Sequence, residues 1–369
     1  MLVNDPIKQI LIDTRVHWDH AGTRPAVREN FSKMIDCRTA ALGWQLYASA
    51  TEEKRVYCTC KSRMCPSCGY RATLAWQREQ WAQLPDVAYA GLVLTMPDVL
   101  WPIFMQNRHL LHDLPTIGAE AVSQWMRGKH RAHPLILVVQ HTFGRHLDFK
   151  PHLHVLVSAG GLSESKASWI RGLSLNRIGL MKMWRYGVIT YLRRALQAGI
   201  LKTDLRAWEL KEVLRIQYER NWHVNLQQRL PKDHFLGYAA RYLRRPPIAK
   251  RRFHEVEGAV VKFWTEDTKT KELVLDTLPK NELVDRLADH TPDKYQNGVR
   301  YYGLLAPRSR NRALGLMFAL LGKRRRPRPR SLSWAESIMR CFGRNPLTDS
   351  RGQQMKYVGR YGPEAAQIT

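Results

Sequence analysis

Four cysteines fall within eleven residues, Cys58-Thr-Cys60-Lys-Ser-Arg-Met-Cys65-Pro-Ser-Cys68, and no other stretch narrows so far what the chain can become. A CxC followed by a CxxC brings thiolates together through tight turns without a large core, as a tetrahedral structural zinc requires. Six cysteines in 369 residues are too few for a disulfide scaffold, and their clustering is metal-site usage in a reducing compartment. The expected ligands are Cys58, Cys60, Cys65 and Cys68, with Cys37 as the alternative to Cys58, while Cys341 reads as a lone thiol. Buried cysteines without a metal are the competing explanation. His17 and His20 form an HxxH, but that spacing recurs at His109/His112 and His130/His133 without other signs of a site.

Around the cluster, Val27–Ala48 and Tyr70–Leu84 read as helical, which makes residues 1–84 a small zinc-stabilised module for recognising DNA. Val87–Met96 is a continuous apolar run stopped by Pro97, the pattern of a buried strand. A helical region, Val99–Met126, follows. Pro134–Phe143 and His152–Val157 are β-like, and the eight residues between them can turn the chain, so a hairpin is expected. Ile178–Leu201 and His234–Leu243 read as helices. This order predicts an α+β fold with helices packed on a sheet. Phe253–Leu275 is again β-like and closes a second domain, 85–275, ahead of a basic, helical C-terminal region, 276–369, that contacts DNA.

Charge points to the partner. Lys and Arg number 59 against 32 Asp and Glu, a net +27, and the 12 Trp are unlike a disordered basic tail. From Lys294 to Ala335 there are 11 basic residues and no acid, including KRRRPRPR at Lys323–Arg330, where two prolines argue against a helix. That run is either a solvated linker or a grip on phosphates. The longest apolar runs fall well short of the roughly 20 residues of a spanning helix, and the N-terminus lacks a signal-peptide layout, so no membrane partner and a cytoplasmic location are expected.

His152 and His154 lie two apart in PHLHVLV, and on a strand such residues point to one side, as two ligands of one metal must. Two core histidines with satisfied hydrogen bonds would look the same. Tyr238 and Tyr242 in GYAARYLRR are four apart, hence on one face of a helix. Packing of an amphipathic helix is the bland alternative. The surroundings favour chemistry: Arg241, Arg244, Arg245, Lys250, Arg251 and Arg252 are six cations without an intervening acid, a field that attracts a phosphodiester and eases formation of a phenolate. A divalent ion on the histidines, a tyrosine nucleophile and a DNA phosphate compose one reaction, joining protein to a DNA end as a 3′-hydroxyl leaves.

With these residues in place, the chain resembles the two-tyrosine rolling-circle transposases of the insertion-sequence 91 type, a branch of the HUH endonucleases. The resemblance spans most of the sequence: CRTAALG at Cys37–Gly43, CxxxxCPxC at Cys60–Cys68, VLTMP at Val93–Pro97, HTFG at His141–Gly144, PHLHVLVSAGGLS at Pro151–Ser163, YAARYLRRPPIAKRRF at Tyr238–Phe253 and RYYGLLAPRSR at Arg300–Arg310. It implies an HUH-type antiparallel sheet, His152 and His154 as ligands of Mg²⁺ or Mn²⁺, and Tyr238 and Tyr242 as nucleophiles. A third ligand is expected from the neighbouring strand, His141 or, behind it, Gln140. It further implies nicking of single-stranded or hairpin DNA at the ends of an insertion element through a 5′-phosphotyrosine, then joining to target DNA. The chain has no GxxxxGK[ST] loop, so a host helicase would supply any unwinding.

The chain departs from the family pattern twice. Tyr47–Thr51 and Asn345–Gly352 lack the further cysteine pairs that relatives carry, so one Zn²⁺ is expected. A rolling-circle replication initiator would use the same chemistry, and a non-catalytic zinc-dependent DNA-binding regulator would keep the same sheet.

Overall fold

The structure, a computed structural model, describes residues 5–243, 246–267, 270–343 and 345–363, apart from the side chains of Tyr238, Arg241–Leu243, Cys341 and Phe342. Its helices are α1 (Pro6–Asp13), α2 (Arg15–Trp18), α3 (Pro25–Ile35), α4 (Pro66–Gln83), α5 (Trp101–Gln106), α6 (Leu114–His130), α7 (Arg177–Gln197), α8 (Ala207–Glu219), α9 (Lys232–Leu243), α10 (Lys280–His290), α11 (Arg310–Leu320) and α12 (Trp334–Phe342). The strands are β1 (Trp44–Ala48), β2 (Glu53–Tyr57), β3 (Tyr89–Leu94), β4 (Ala132–Phe143), β5 (Phe149–Ser163), β6 (Trp169–Arg171), β7 (Val224–Leu230), β8 (Phe253–Glu257), β9 (Val260–Glu266), β10 (Leu273–Pro279), β11 (Val299–Gly303) and β12 (Lys356–Tyr361). The chain forms two compact units that do not follow its linear order: Met1–Trp76 with Arg244–Asp293 and Pro329–Thr369, and Gln77–Leu243 with Lys294–Arg328.

The second unit is built on an antiparallel sheet in the order β11-β4-β5-β3-β7, with β6 on the far end of β5. The anticipated hairpin is β4 and β5. Alternation divides the sheet into two faces. One carries Ala90, Leu92, Leu94, Ile136, Val138, Leu153, Val155 and Val157, all buried beneath α6 and α7 around the fully buried Trp184. Glycines bring these layers close together. A Cβ on Gly118 would lie 2.6 Å from Leu153 Cδ1, and one on Gly187 would lie 2.5 Å from Ile117 Cγ2. The opposite face carries His152 and His154, and there α9 packs through Phe235, which stacks on Tyr89 at 4.0 Å between ring centroids.

The first unit holds two three-stranded antiparallel sheets, β12-β1-β2 and β10-β9-β8. Both draw on chain remote from the N-terminus. The helix expected over Val27–Ala48 ends at Ile35, and Trp44–Ala48 is a strand. Arg38 and Gly43 take left-handed backbone conformations, φ 62° and 75°, which end helical growth. At Gly43 a side chain is also excluded, because a Cβ would lie 2.6 Å from the Tyr361 carbonyl oxygen. The C-terminal region read as helical contributes the end of β10 and two whole strands besides its helices: β11 joins β4 and β12 joins β1, since the aromatic and β-branched residues of VRYYG and KYVGRY suit a pleated ladder once a remote partner is available. Among the described residues no helix is long and apolar enough to cross a membrane.

Gly118→Val is expected to overpack the α6 crossing against Leu153 and to cost about 1–3 kcal/mol, read as a lower urea midpoint with an unchanged denaturant slope.

Candidate metal centres and the tyrosine helix

The cysteine site assembles from three pieces of local structure. α3 ends in the turn that carries Cys37, β2 leads into Cys60, and α4 starts at Pro66, with Cys65 just before it and Cys68 in its first turn. Cys37, Cys60, Cys65 and Cys68 bring their sulfurs within 4.8 Å of one another. Sγ of Cys68 lies 3.8 Å from that of Cys37 and 3.7 Å from that of Cys60, and the Cys37 to Cys65 separation is 3.9 Å. A tetrahedron with Zn–S bonds of about 2.3 Å has edges of about 3.8 Å, so the thiols fit zinc without rearrangement. The Cys60 amide donates to Cys37 Sγ at 3.4 Å, and hydrogen bonding from Cys60 and Cys65 brings the Cys37 thiol down to about 7.

Cys58 is not a member of this set; Cys37, the alternative, takes its place. The backbone of Cys58 is committed elsewhere, its amide donating to Gly43 O at 2.8 Å and its carbonyl accepting from Arg38 N at 2.9 Å. Those two bonds close the strand end over the turn and bring Cys37 to the cluster. His17 instead faces Asp285 at 2.8 Å.

The turn that follows β1 meets the 345–352 segment. Thr51 Oγ1 donates to Asp349 at 3.1 Å, the Ser350 amide donates to Glu52 at 3.1 Å, and Lys54 Nζ donates to the Pro346 carbonyl at 2.6 Å. The Ser49 hydroxyl holds the Asp349 carboxyl below its ordinary range. Hydrogen bonds here cross-link chain segments nearly 300 residues apart.

The histidine site follows from register. β4 pairs with β5 so that His141 stands directly opposite His152 and Val139 opposite His154. The three imidazoles therefore share one face and offer nitrogens within 4.8 Å of one another. Gln140, opposite Leu153, points to the other face, where its amide donates to Leu111 O at 2.8 Å. A one-residue register shift between His141 and Phe143 bends the strands beside the cluster, and Pro151, which has no amide to donate, sits in the bulged stretch. His152 Nδ1 must donate to the Lys150 carbonyl, 2.7 Å away, which leaves Nε2 with its lone pair. Burial depresses the pKa of His152 and, with His152 alongside, brings His154 down to about 3. Neutral, buried imidazoles on one face suit a divalent cation.

Helix α9 carries Tyr238 and Tyr242, whose side chains lie outside the described residues. Its position is set by residues without a motif. Phe235, Leu236 and Ala239 form its buried stripe, and Phe235 stacks on Tyr89, which pairs with Ser158 and so shares the histidine face. At the first turn Lys232 is buried. Its ammonium donates to Leu84 O at 2.6 Å and to Asp86 at 3.0 Å, and lies 4.7 Å from the Trp81 ring centroid. No sequence signal marked Lys232 or Asp86; the period-two pattern would have placed Tyr89.

Of the cations expected to grip DNA, Arg241, Arg244 and Arg245 have side chains outside the described residues. Lys250 pairs with Asp5 at 2.5 Å, and Arg252 donates to the Trp264 carbonyl at 2.7 Å, while Arg251 is exposed. The basic run Lys323–Arg330 has no helix, as its prolines predict. It is tied down in part: Arg326 pairs with Asp86 at 3.0 Å and Arg328 with Glu79 at 2.6 Å.

Residues 11–96 match the family described as a transposase zinc-binding domain, and residues 136–313 the family described as a putative transposase. The chain is 32% identical over 319 residues to the transposase for insertion sequence element IS801 of Pseudomonas savastanoi pv. phaseolicola, covering 82% of this chain and 77% of that protein. It is 27% identical to a putative transposase of Sinorhizobium fredii, covering 82% of this chain and 80% of that protein. No solved structure is a significant match. A cysteine set with zinc geometry joined to a transposase core defines a DNA-processing enzyme, a transposase. The chain belongs to the insertion-sequence 91 family of transposases, the family of rolling-circle elements to which the IS801 relative points.

Cys37→Ser is expected to lower bound zinc below one equivalent and to lower the first unit's resistance to proteolysis, whereas Cys58→Ser keeps the metal; elemental analysis of the purified variants reads the difference. The pH dependence has a sign as well. Between the ordinary histidine value of 6.5 and about 3, an unfolded chain takes up a proton that folded His154 refuses. Stability of metal-free protein should therefore fall with pH below about 6.5, and the fall should shrink in His154→Phe.

Proposed function

We propose that the chain nicks and rejoins single-stranded or hairpin DNA at the ends of an insertion element by the HUH two-tyrosine mechanism. The observation that carries this is the coincidence on one sheet face of the three imidazoles and of helix α9, which bears Tyr238 and Tyr242. The hydroxyl of one tyrosine attacks the scissile phosphorus, the bond to the 3′ oxygen breaks, and that oxygen leaves as a hydroxyl after taking up a proton, so a 5′-phosphotyrosine remains. The second tyrosine repeats the step on another strand, and reversal onto target DNA completes transfer.

His141, His152 and His154 would hold Mg²⁺ or Mn²⁺, and the all-nitrogen donor set matches Mn²⁺ better, because Mg²⁺ favours oxygen ligands. A divalent ion there supplies polarisation of the scissile phosphate. The carbonyl of Lys150 orients His152 for that duty, and burial keeps His152 and His154 neutral. Lys232 anchors the start of the tyrosine helix. The zinc module, 1–84, recognises DNA, the 85–275 segment performs the reaction, and the basic residues of 276–369, with Arg241, Arg244, Arg245, Lys250, Arg251 and Arg252, hold the strand. Host helicase would open duplex DNA. The reaction belongs in the bacterial cytoplasm, at the nucleoid.

A labelled oligonucleotide bearing an element end, incubated with protein and Mn²⁺, should become covalently attached and shift in a denaturing gel. The Tyr238→Phe, Tyr242→Phe double variant should lose at least about a hundredfold in adduct formation, and His152→Ala should lose adduct while keeping DNA binding. Undiminished adduct in the double variant would overturn the nucleophile assignment. A replication initiator would instead depend on a replicon origin as substrate, and a non-catalytic regulator would form no adduct with any end.

A further inference from the structure

The three-stranded sheet β12-β1-β2 puts aromatic residues in a row. Trp44 pairs with Tyr57 on β2 and with Tyr361 on β12, so the three rings stand abreast on one face. The Tyr361 and Trp44 rings stack at 5.4 Å with an interplanar angle of 7°, and the Tyr57 ring lies 6.3 Å from Trp44. Trp44 is 5% exposed, whereas Tyr57 and Tyr361 are 37% and 43% exposed. The central ring is therefore a support, and the flanking rings present surface to solvent. Beside the row, the Arg55 guanidinium lies 5.2 Å from the Trp44 centroid. Alternation places Arg55 on the same face, and the register pairs its neighbour Leu46 with Gly359, a position with no side chain. By the register this face also carries Lys356 and one acid, Glu53, both opposite Ala48, whereas Lys54 and Arg360 stand opposite Tyr47 and Gln45 on the other face.

A sheet face with two exposed rings and a guanidinium beside them has one natural occupant in a DNA-processing enzyme. Bases of duplex DNA are stacked on one another and hide their faces, whereas unpaired bases offer them to aromatic side chains while the backbone pairs with cations. We propose that this face is a stacking platform for unpaired bases, in which Tyr57 and Tyr361 take the bases and Arg55 the phosphate between them. The platform joins segments far apart in the sequence: β2 enters the zinc site three residues after Tyr57, at Cys60, and β12 is Lys356–Tyr361. The inference deepens the reading of the zinc module as a DNA-recognition element, and specifies single strands and a surface.

Binding of the full-length, zinc-loaded protein to fluorescein-labelled oligothymidylate of about fifteen nucleotides, measured by anisotropy without added divalent metal, tests it. The Tyr57→Ala, Tyr361→Ala variant should bind about tenfold or more weakly, and the Tyr57→Phe, Tyr361→Phe variant should bind as the parent, since stacking needs the ring and not the hydroxyl. Should the alanine pair unfold, Arg55→Glu, at an exposed position, should weaken binding about threefold or more. Affinities within twofold of the parent for a folded alanine pair, or for Arg55→Glu, would overturn the platform. Equal losses on a duplex of the same length would overturn the assignment to single strands. Covalent joining is scored separately: an active protein whose affinity survives every variant refutes the platform alone, and lost affinity in a protein that forms no adduct upholds the platform and refutes the reaction.

Discussion

The register between β4 and β5, which sets His141 opposite His152 and Val139 opposite His154, is the constraint on which the centre depends. Moving the pairing by one residue would turn His152 and His154 onto the helix-packed face and replace them with Leu153 and Val155. That slip is prevented by what lies beneath. Leu153 and Val155 are completely buried among α6, α7 and the other strands, and Gly118 lets α6 come close enough to hold Leu153 in place. The hydrophobic effect thus specifies the position of polar groups it never touches. On the other face, burial lowers the pKa of His152 and His154 and so favours their neutral form.

Two clusters of different character follow from two kinds of local structure, a cysteine set with zinc geometry and a group of three histidines. The cysteine site is made from a helix end, a strand end and a helix start, each contributing one or two thiols, and the metal would replace a core that the first unit could not otherwise assemble there. The histidine cluster is made on strands in the centre of a sheet, where alternation and pairing define the face that the imidazoles share. The first unit also shows how hydrogen bonds tie remote segments together. Thr51, Glu52 and Lys54 hydrogen-bond to Asp349, Ser350 and the Pro346 carbonyl. That network helps hold the far end of the chain beside β1.

Much of this was legible in residue patterns. The HxH on an apolar run announced a strand with two histidines on one face, and the eight residues after Phe143 announced the hairpin that supplies His141. Alternation alone separates Gln140 from His141, and Pro97 and the paired prolines of KRRRPRPR stop regular structure where expected. The choice between Cys37 and Cys58 was not legible. Both lie at short distance in sequence from the same turns, and only the bonds from Cys58 to Gly43 and Arg38 decide between them. Trp44–Ala48 continued a helical pattern on paper because its strand partners, β2 and β12, lie partly at the other end of the chain. Lys232 left no trace, since a lysine at a helix start is ordinary until Asp86, Leu84 and Trp81 enclose it.

By itself, the sequence determined the chemistry available to the protein: four soft ligands within reach of one another, two histidines two apart, two tyrosines four apart and a large excess of positive charge. Those are local spacings, and local spacing is governed by backbone geometry that needs no tertiary information. Only the tertiary structure decided which thiol completes the zinc set, which histidine joins the pair, which sheet face the tyrosine helix covers, and that the last strand returns to the first. Each of these turns on contacts between residues distant in the chain, whose energy exists only once the hydrophobic layers have closed.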